Sequence, residues 1–111
     1  MTTRDVSGHP LPPVDEGDAV SFLQGLVRLD TVNPPGRESL AADLIQARLE
    51  PLGFAIERAG AEPGRDCLIA TLPGTGGGPT LIFNGHVDVQ PVGPGWTHAP
   101  FGAEIEHDRL Y

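Results

Sequence analysis

Lysine is missing from this chain of 111 residues, and cysteine, tryptophan, tyrosine and methionine each occur once. With Cys67 alone, no disulfide can close within the chain, and a zinc ribbon of paired cysteines is excluded. No apolar stretch approaches the ~20 residues that span a bilayer. Residues 1–17 also lack the apolar run of roughly 7–15 residues that marks a secretory signal, so cytoplasm is the expected compartment. All seven cations are arginine, and they face fifteen acids for a net charge of −8. Such a chain repels phosphate backbones and anionic headgroups, which disfavours nucleic acid and membrane surfaces as partners.

What is abundant is glycine, at 15, and proline, at 12. Both cluster between segments of clear apolar periodicity, where turns belong, so low complexity is not the explanation. The length allows at most one core. Residues 1–17 read as an extended arm, polar and marked by Pro12-Pro13, with Leu11 and Val14 as its only anchors. Residues 18–111 read as the structured portion.

Asp15, Glu16 and Asp18 suit the positive end of a helix dipole, and Val20, Leu23 and Val27 follow on one face. This helix must end before Asn33-Pro34-Pro35-Gly36, because proline disfavours helical geometry in the residue ahead of it. A second helix carries Leu40, Leu44, Ile45, Leu49 and Leu52 inward and Glu38, Asp43, Gln46 and Glu50 outward. Pro51 lies near its end and Gly53 suits a left-handed cap.

The period then changes. Phe54 to Arg58 alternates, whereas Cys67 to Leu72 and Thr80 to Asn84 are short apolar runs bounded by turn residues. These are expected to be three strands, the latter two buried, with Cys67 as a core thiol. Ala103 to Glu106 and Arg109 to Tyr111 read as the arms of a hairpin turning at His107-Asp108. Two helices followed by three or more strands of a mixed sheet, ending in a hairpin, define an α/β fold.

The stretch that carries chemistry is Asn84-Gly85-His86-Val87-Asp88-Val89. At the end of a strand, residues two apart point the same way, so the His86 imidazole and the Asp88 carboxylate share a face. A neutral imidazole is a good zinc ligand, and a ligating histidine usually donates its other ring N–H to a carboxylate, a carbonyl or water. Spacing alone leaves two other readings open, a surface histidine beside an aspartate and a satisfied buried pair. The Gly74–Gly78 loop lacks the Lys-Ser/Thr ending and following helix of a phosphate loop, and reads as a strand connection. Trp96 to Phe101 reads as a cover for the core, with a pocket lining as the alternative. His98 and His107 read as solvated, and His9 falls in the arm.

With these residues in view, the chain resembles the dinuclear-zinc hydrolase family of aminoacylase, acetylornithine deacetylase, succinyl-diaminopimelate desuccinylase and glutamate carboxypeptidase. The matching stretches are Leu26 to Glu38, Leu81 to Pro91, Trp96 to Phe101 and Asp108 to Tyr111, in order. The resemblance implies the N-terminal part of a zinc-exopeptidase-like catalytic domain. It makes His86 a metal ligand and Asp88 the catalytic carboxylate that orients and tunes it. It also implies two divalent ions, zinc or alternatively cobalt, roughly 3.5–4 Å apart, which polarise an amide carbonyl and activate a bridging water. The substrate would be an N-acyl amino acid or small peptide.

In relatives the bridging aspartate, the Glu-Glu pair, a further carboxylate and a distal histidine lie downstream, as does a lid domain that carries homodimer contacts. None has a counterpart here, because Tyr111 would open the Tyr-Gly-Arg-Gly stretch that precedes the bridging aspartate. The expectation is therefore a segment of a longer metal-dependent amide hydrolase, inactive by itself. The competing expectation is a non-catalytic remnant or binding module that keeps the α/β platform.

Overall fold

The computed structural model describes residues 7–10 and 12–111. The expected arm therefore lies partly outside the described residues, Leu11 included, and Val14 is exposed. Helix α1 spans Glu16–Val27. Asp15 caps it by accepting from the Asp18 backbone N–H at 3.0 Å, and Glu16 and Asp18 place negative charge in the first turn. Its end comes where the expectation put it, ahead of the Asn33–Gly36 turn.

Helix α2 spans Glu38–Leu49 and runs into a single 3₁₀ turn, Glu50–Leu52. No side chain caps its start. One of its free N–H groups, that of Ser39, instead donates to the Gly64 carbonyl at 3.0 Å, so a distant loop replaces the local cap. Gly53, at φ 87°, closes the turn in the left-handed region, which costs a residue without Cβ least. The two helices meet where Gly25 lies against Leu44; a Cβ on Gly25 would come within 3.2 Å of the Leu44 Cδ2.

Strand β1, Ala55–Ala59, pairs antiparallel with β2, Cys67–Thr71, in a register that sets Ala55 opposite Thr71 and Ala59 opposite Cys67. The ribbon turns one face toward α2, so Ile56 and Arg58 of β1 and Leu68 and Ala70 of β2 are partly covered while their neighbours are exposed. Arg58 fastens this layer: it donates to Asp43 and Gln46 of α2, at 2.9 and 3.1 Å, and to Asp66 at 3.0 Å. Strands β3, Ile105–Glu106, and β4, Arg109–Leu110, form the expected hairpin. Its corner residues His107 and Asp108 both have positive φ, 50° and 58°, as the tightest two-residue turn requires. The hairpin is tied to α1 by Gln24, whose side-chain amide donates to the Ala103 carbonyl at 2.8 Å.

Four expectations are corrected. Leu40 and Leu52, expected on the inward face of the second helix, are 41% and 61% exposed. Thr80 to Asn84 takes no regular structure and joins no ladder among the described residues, and Phe83 is 90% exposed. An apolar run becomes a buried strand only when neighbours cover both of its faces, and neither antiparallel ribbon reaches this one. Cys67 is exposed rather than a core thiol, because its ribbon is covered on one face and Cys67 stands on the other. Glu38 does not face outward; its side chain is only 14% exposed and is held by Arg65. The α/β class stands, as two helices with two small antiparallel sheets.

The interior is thin. Among the described residues only Ala41, Ala42, Ala103 and Thr31 are fully buried. The radius of gyration is 17.1 Å, against about 13 Å for a compact chain of this length. Local capping is therefore a large share of what holds α1. Asp15→Ala is expected to lower stability by about 1 kcal/mol with a loss of helical signal, measured by urea titration followed by circular dichroism; an unchanged midpoint would count against the cap.

Candidate metal-ligand site

The site is made where two distant segments touch. Beyond α1 the chain extends, and Val32 forms a parallel bridge with Val89. Val89 donates its N–H to the Thr31 carbonyl at 3.2 Å, and Asn33 donates its own to the Val89 carbonyl at 3.0 Å. The hydroxyl of Thr31, 3% exposed, donates to the Val87 carbonyl at 2.6 Å. Residues 87–89 are thus fixed to residues 31–33, just beyond α1, by backbone and side chain together, and His86 is carried at their head.

His86 and Asp88 are brought together as the spacing predicted. The imidazole Nδ1 lies 2.9 Å from Asp88 Oδ1 and 3.0 Å from the Asp88 carbonyl. Both of these atoms are acceptors, so Nδ1 is the donor, and in the neutral ring the lone pair is then on Nε2. The His86 side chain is 86% exposed, that of Asp88 31%. The other carboxylate oxygen of Asp88, Oδ2, accepts from the Asn33 side-chain amide at 3.0 Å. Asn33 first, and His86 after it, hold the Asp88 carboxyl below its ordinary value.

His86 stands between two hollows. One, of about 340 Å³, is walled chiefly by Leu26, Val27, Val89, Trp96 and Phe101. Trp96 thus lines a pocket, the alternative reading of its segment, and is itself 55% exposed. The other is a wider cleft with Glu38, Arg65, Asp66, Asn84 and Asp88 on its walls. Across that cleft Arg65 grips Glu38 through Nε at 3.2 Å to both oxygens and Nη2 at 2.7 Å to Oε1. The Arg65 side chain also lies over Gly36, where a Cβ would come within 2.6 Å of Nε. That contact, together with φ 85°, explains the glycine of the Asn-Pro-Pro-Gly turn.

Two residues of this site, Asn33 and Thr31, were not legible as partners of Asp88 and Val87. Their bonds span 55 and 56 residues of chain, and the only sequence signal was that Asn33 opens a turn within a family-like stretch. His98 is corrected: it is not solvated but 17% exposed, stacked on Tyr111 at 3.8 Å and bonded to Glu104 at 3.1 Å. His107 is exposed, as expected.

The donor chemistry at His86 fits one metal ligand, with an open Nε2 and a carboxylate behind Nδ1. Among the described residues no three His, Cys, Asp or Glu side chains converge to hold an ion. A catalytic zinc takes about three protein ligands, so these residues supply part of a shell and not the whole. No helix among the described residues is long and apolar enough to cross a membrane.

Three curated succinyl-diaminopimelate desuccinylases are similar to this chain. That of Novosphingobium aromaticivorans is 40% identical over 98 residues, 85% of this chain and 26% of its own length. That of Methylobacterium radiotolerans is 41% identical over 96 residues, 84% of this chain and 24% of its own. That of Erythrobacter litoralis is 38% identical over 101 residues, 84% and 26% respectively. The chain thus spans about a quarter of the length of the curated relatives it matches. No family model and no solved structure matches it.

The pair across the cleft makes a pH prediction. Hydrogen bonds from Arg65 hold the Glu38 carboxyl below its ordinary 4.5. A carboxyl depressed in the folded state contributes stability that is present above its unfolded value and lost as pH falls through the folded one. Glu38→Gln is therefore expected to lower stability at pH 7 and to flatten its decline below about pH 4.5, measured by denaturation midpoints across pH. Parallel profiles for the two proteins would show that the pair contributes nothing.

Proposed function

We propose, from the homology of this chain to succinyl-diaminopimelate desuccinylases, that it is the His-Asp segment of a metal-dependent enzyme hydrolysing an amide bond in an N-acyl amino acid or small peptide. Residues 18–111 would be one portion of the catalytic domain, working in the cytoplasm with donors contributed from outside the described residues. The observation that carries the reading is the geometry at His86: Nδ1 held at 2.9 Å by a carboxylate, and Nε2 left open on an exposed ring. An imidazole in that state is a ligand ready for a divalent ion and a poor general base for anything on its Nδ1 side.

The roles of this chain's own residues follow. His86 would hold one divalent ion, zinc or cobalt, through Nε2. Asp88 would fix the tautomer, restrain the ring and keep negative charge behind it, which raises the basicity of the ligating nitrogen. Thr31, Val32 and Val89 would keep both residues in register with α1. The bound metal would polarise the amide carbonyl and lower the pKa of a water. The hollow beside His86 would offer an apolar wall on one side, and the cleft bearing Glu38 and Arg65 a polar wall on the other.

Two assays test this. The complete enzyme, given zinc or cobalt and a panel of N-succinyl and N-acetyl amino acids and dipeptides, is expected to release free amine. His86→Ala should reduce that release below detection, and Asp88→Ala should weaken metal binding by roughly 10–100-fold. The 111-residue chain alone, with the same metals and substrates, is expected to be inactive, since one imidazole cannot hold a catalytic zinc. Full activity of His86→Ala, or hydrolysis by the short chain abolished by that same substitution, would overturn the respective claim.

A further inference from the structure

Asn33 sits in a turn whose prolines and glycine account for its shape, yet its side chain is not spent on the turn. It reaches across the bridge between Val32 and Val89 and donates to Asp88 Oδ2 at 3.0 Å, while Oδ1 of the same carboxylate receives the His86 Nδ1 proton at 2.9 Å. The two contacts occupy opposite oxygens, so they fix the rotation of the carboxylate plane, which a single bond would leave free. Asn33 is itself held by its backbone N–H on the Val89 carbonyl, one residue beyond the carboxylate it grips. Donor and acceptor are thus mounted on the same rigid crossing, and Asn33 is half-buried.

We propose that Asn33 is a positioning residue: its amide sets the Asp88 carboxylate so that Oδ1 faces His86 Nδ1, and thereby reinforces the hold, shared with the Asp88 carbonyl, that makes the imidazole present Nε2. An amide suits this better than a cation would. It donates without neutralising the carboxylate, so the charge behind the imidazole is retained. Loss of the amide frees the carboxylate to turn and leaves the Asp88 backbone carbonyl, 3.0 Å from Nδ1, as the one fixed acceptor, so the preference of His86 for the Nδ1–H tautomer weakens. Neutral imidazole in water prefers the proton on Nε2, so the change has a spectroscopic sign. The functional meaning of this relay rests on the reading of His86 as a metal ligand, but its test does not.

The test is the tautomer of His86, read from its ring ¹⁵N shifts in the labelled chain at a pH where the ring is neutral. The chain has only four histidines, and His86→Gln assigns the signal. The wild-type chain is expected to show mainly Nδ1–H. Asn33→Ala, and Asn33→Leu which keeps a branched side chain of similar size without the donor, are expected to shrink that majority while the amide signals of Thr31 and Val89 stay in place. An unchanged tautomer in both variants would overturn the proposal, as would a wild-type ring without an Nδ1–H majority. A tautomer that shifts only together with the Thr31 and Val89 amides would make Asn33 a structural residue, and the proposal would fall. A wild-type tautomer preference weakened in both variants, alongside a complete enzyme indifferent to His86→Ala, would uphold the relay and sink the hydrolase reading instead.

Discussion

The crossing of residues 31–33 over residues 87–89 is the interaction on which the rest of the site depends. Two backbone hydrogen bonds and the Thr31 hydroxyl make it, at 3.2, 3.0 and 2.6 Å. Each such bond contributes about 1 kcal/mol net, so together they amount to a few kcal/mol. That is modest in a well-packed domain and large here, where no big side chain among the described residues is fully buried. The segment before the crossing, residues 80–85, is exposed throughout, and so is the one after it, residues 89–97. His86 has a defined position because the three residues following it are tied to residues 31–33, just beyond α1.

The layering on either side of the crossing serves that position. α1 is closed by its Asp15 cap at one end and leads into Thr31 at the other. α2 carries Glu38 at its first turn, and Arg65 locks Glu38 to the loop that replaces the missing cap. The same guanidinium lies over Gly36, so the turn that begins with Asn33 is pinned at both ends. Charges in this part of the molecule are mostly spent in pairs, and the open donor atom is His86 Nε2. That distribution is what a ligand-binding edge needs: a restrained surround and a solvent-facing donor atom of the right chemistry.

The parts of this arrangement that were legible in the sequence are those governed by neighbours in the chain. Asp15 and Asp18, the helical spacing from Val20 to Val27, Gly53 after Pro51, and His107-Asp108 at a hairpin corner all act within a few residues. The period-two geometry of His86 and Asp88 is local in the same sense. The illegible parts are set by cover and by distant partners. Cys67 and Ile69 belong to an apolar run that suggests burial on both faces, yet the ribbon is covered on one. Leu81, Ile82 and Phe83 carry the pattern of a central strand without a neighbouring ladder among the described residues. Glu38 looks like an outward charge until Arg65, 27 residues away, is placed beside it. His98 looks solvated until Tyr111 stacks on it. The site itself was half legible: the ordered motifs pointed to His86 and Asp88, and only the fold could add Asn33 and Thr31.

The central claim is that His86 binds a catalytic metal through Nε2 with Asp88 behind it. A structure of the complete enzyme loaded with zinc tests this most directly. The account predicts an ion about 2.0–2.1 Å from His86 Nε2, with Asp88 still on Nδ1. An ion bound through Nδ1, or a fully coordinated catalytic metal with His86 outside its shell, would contradict it.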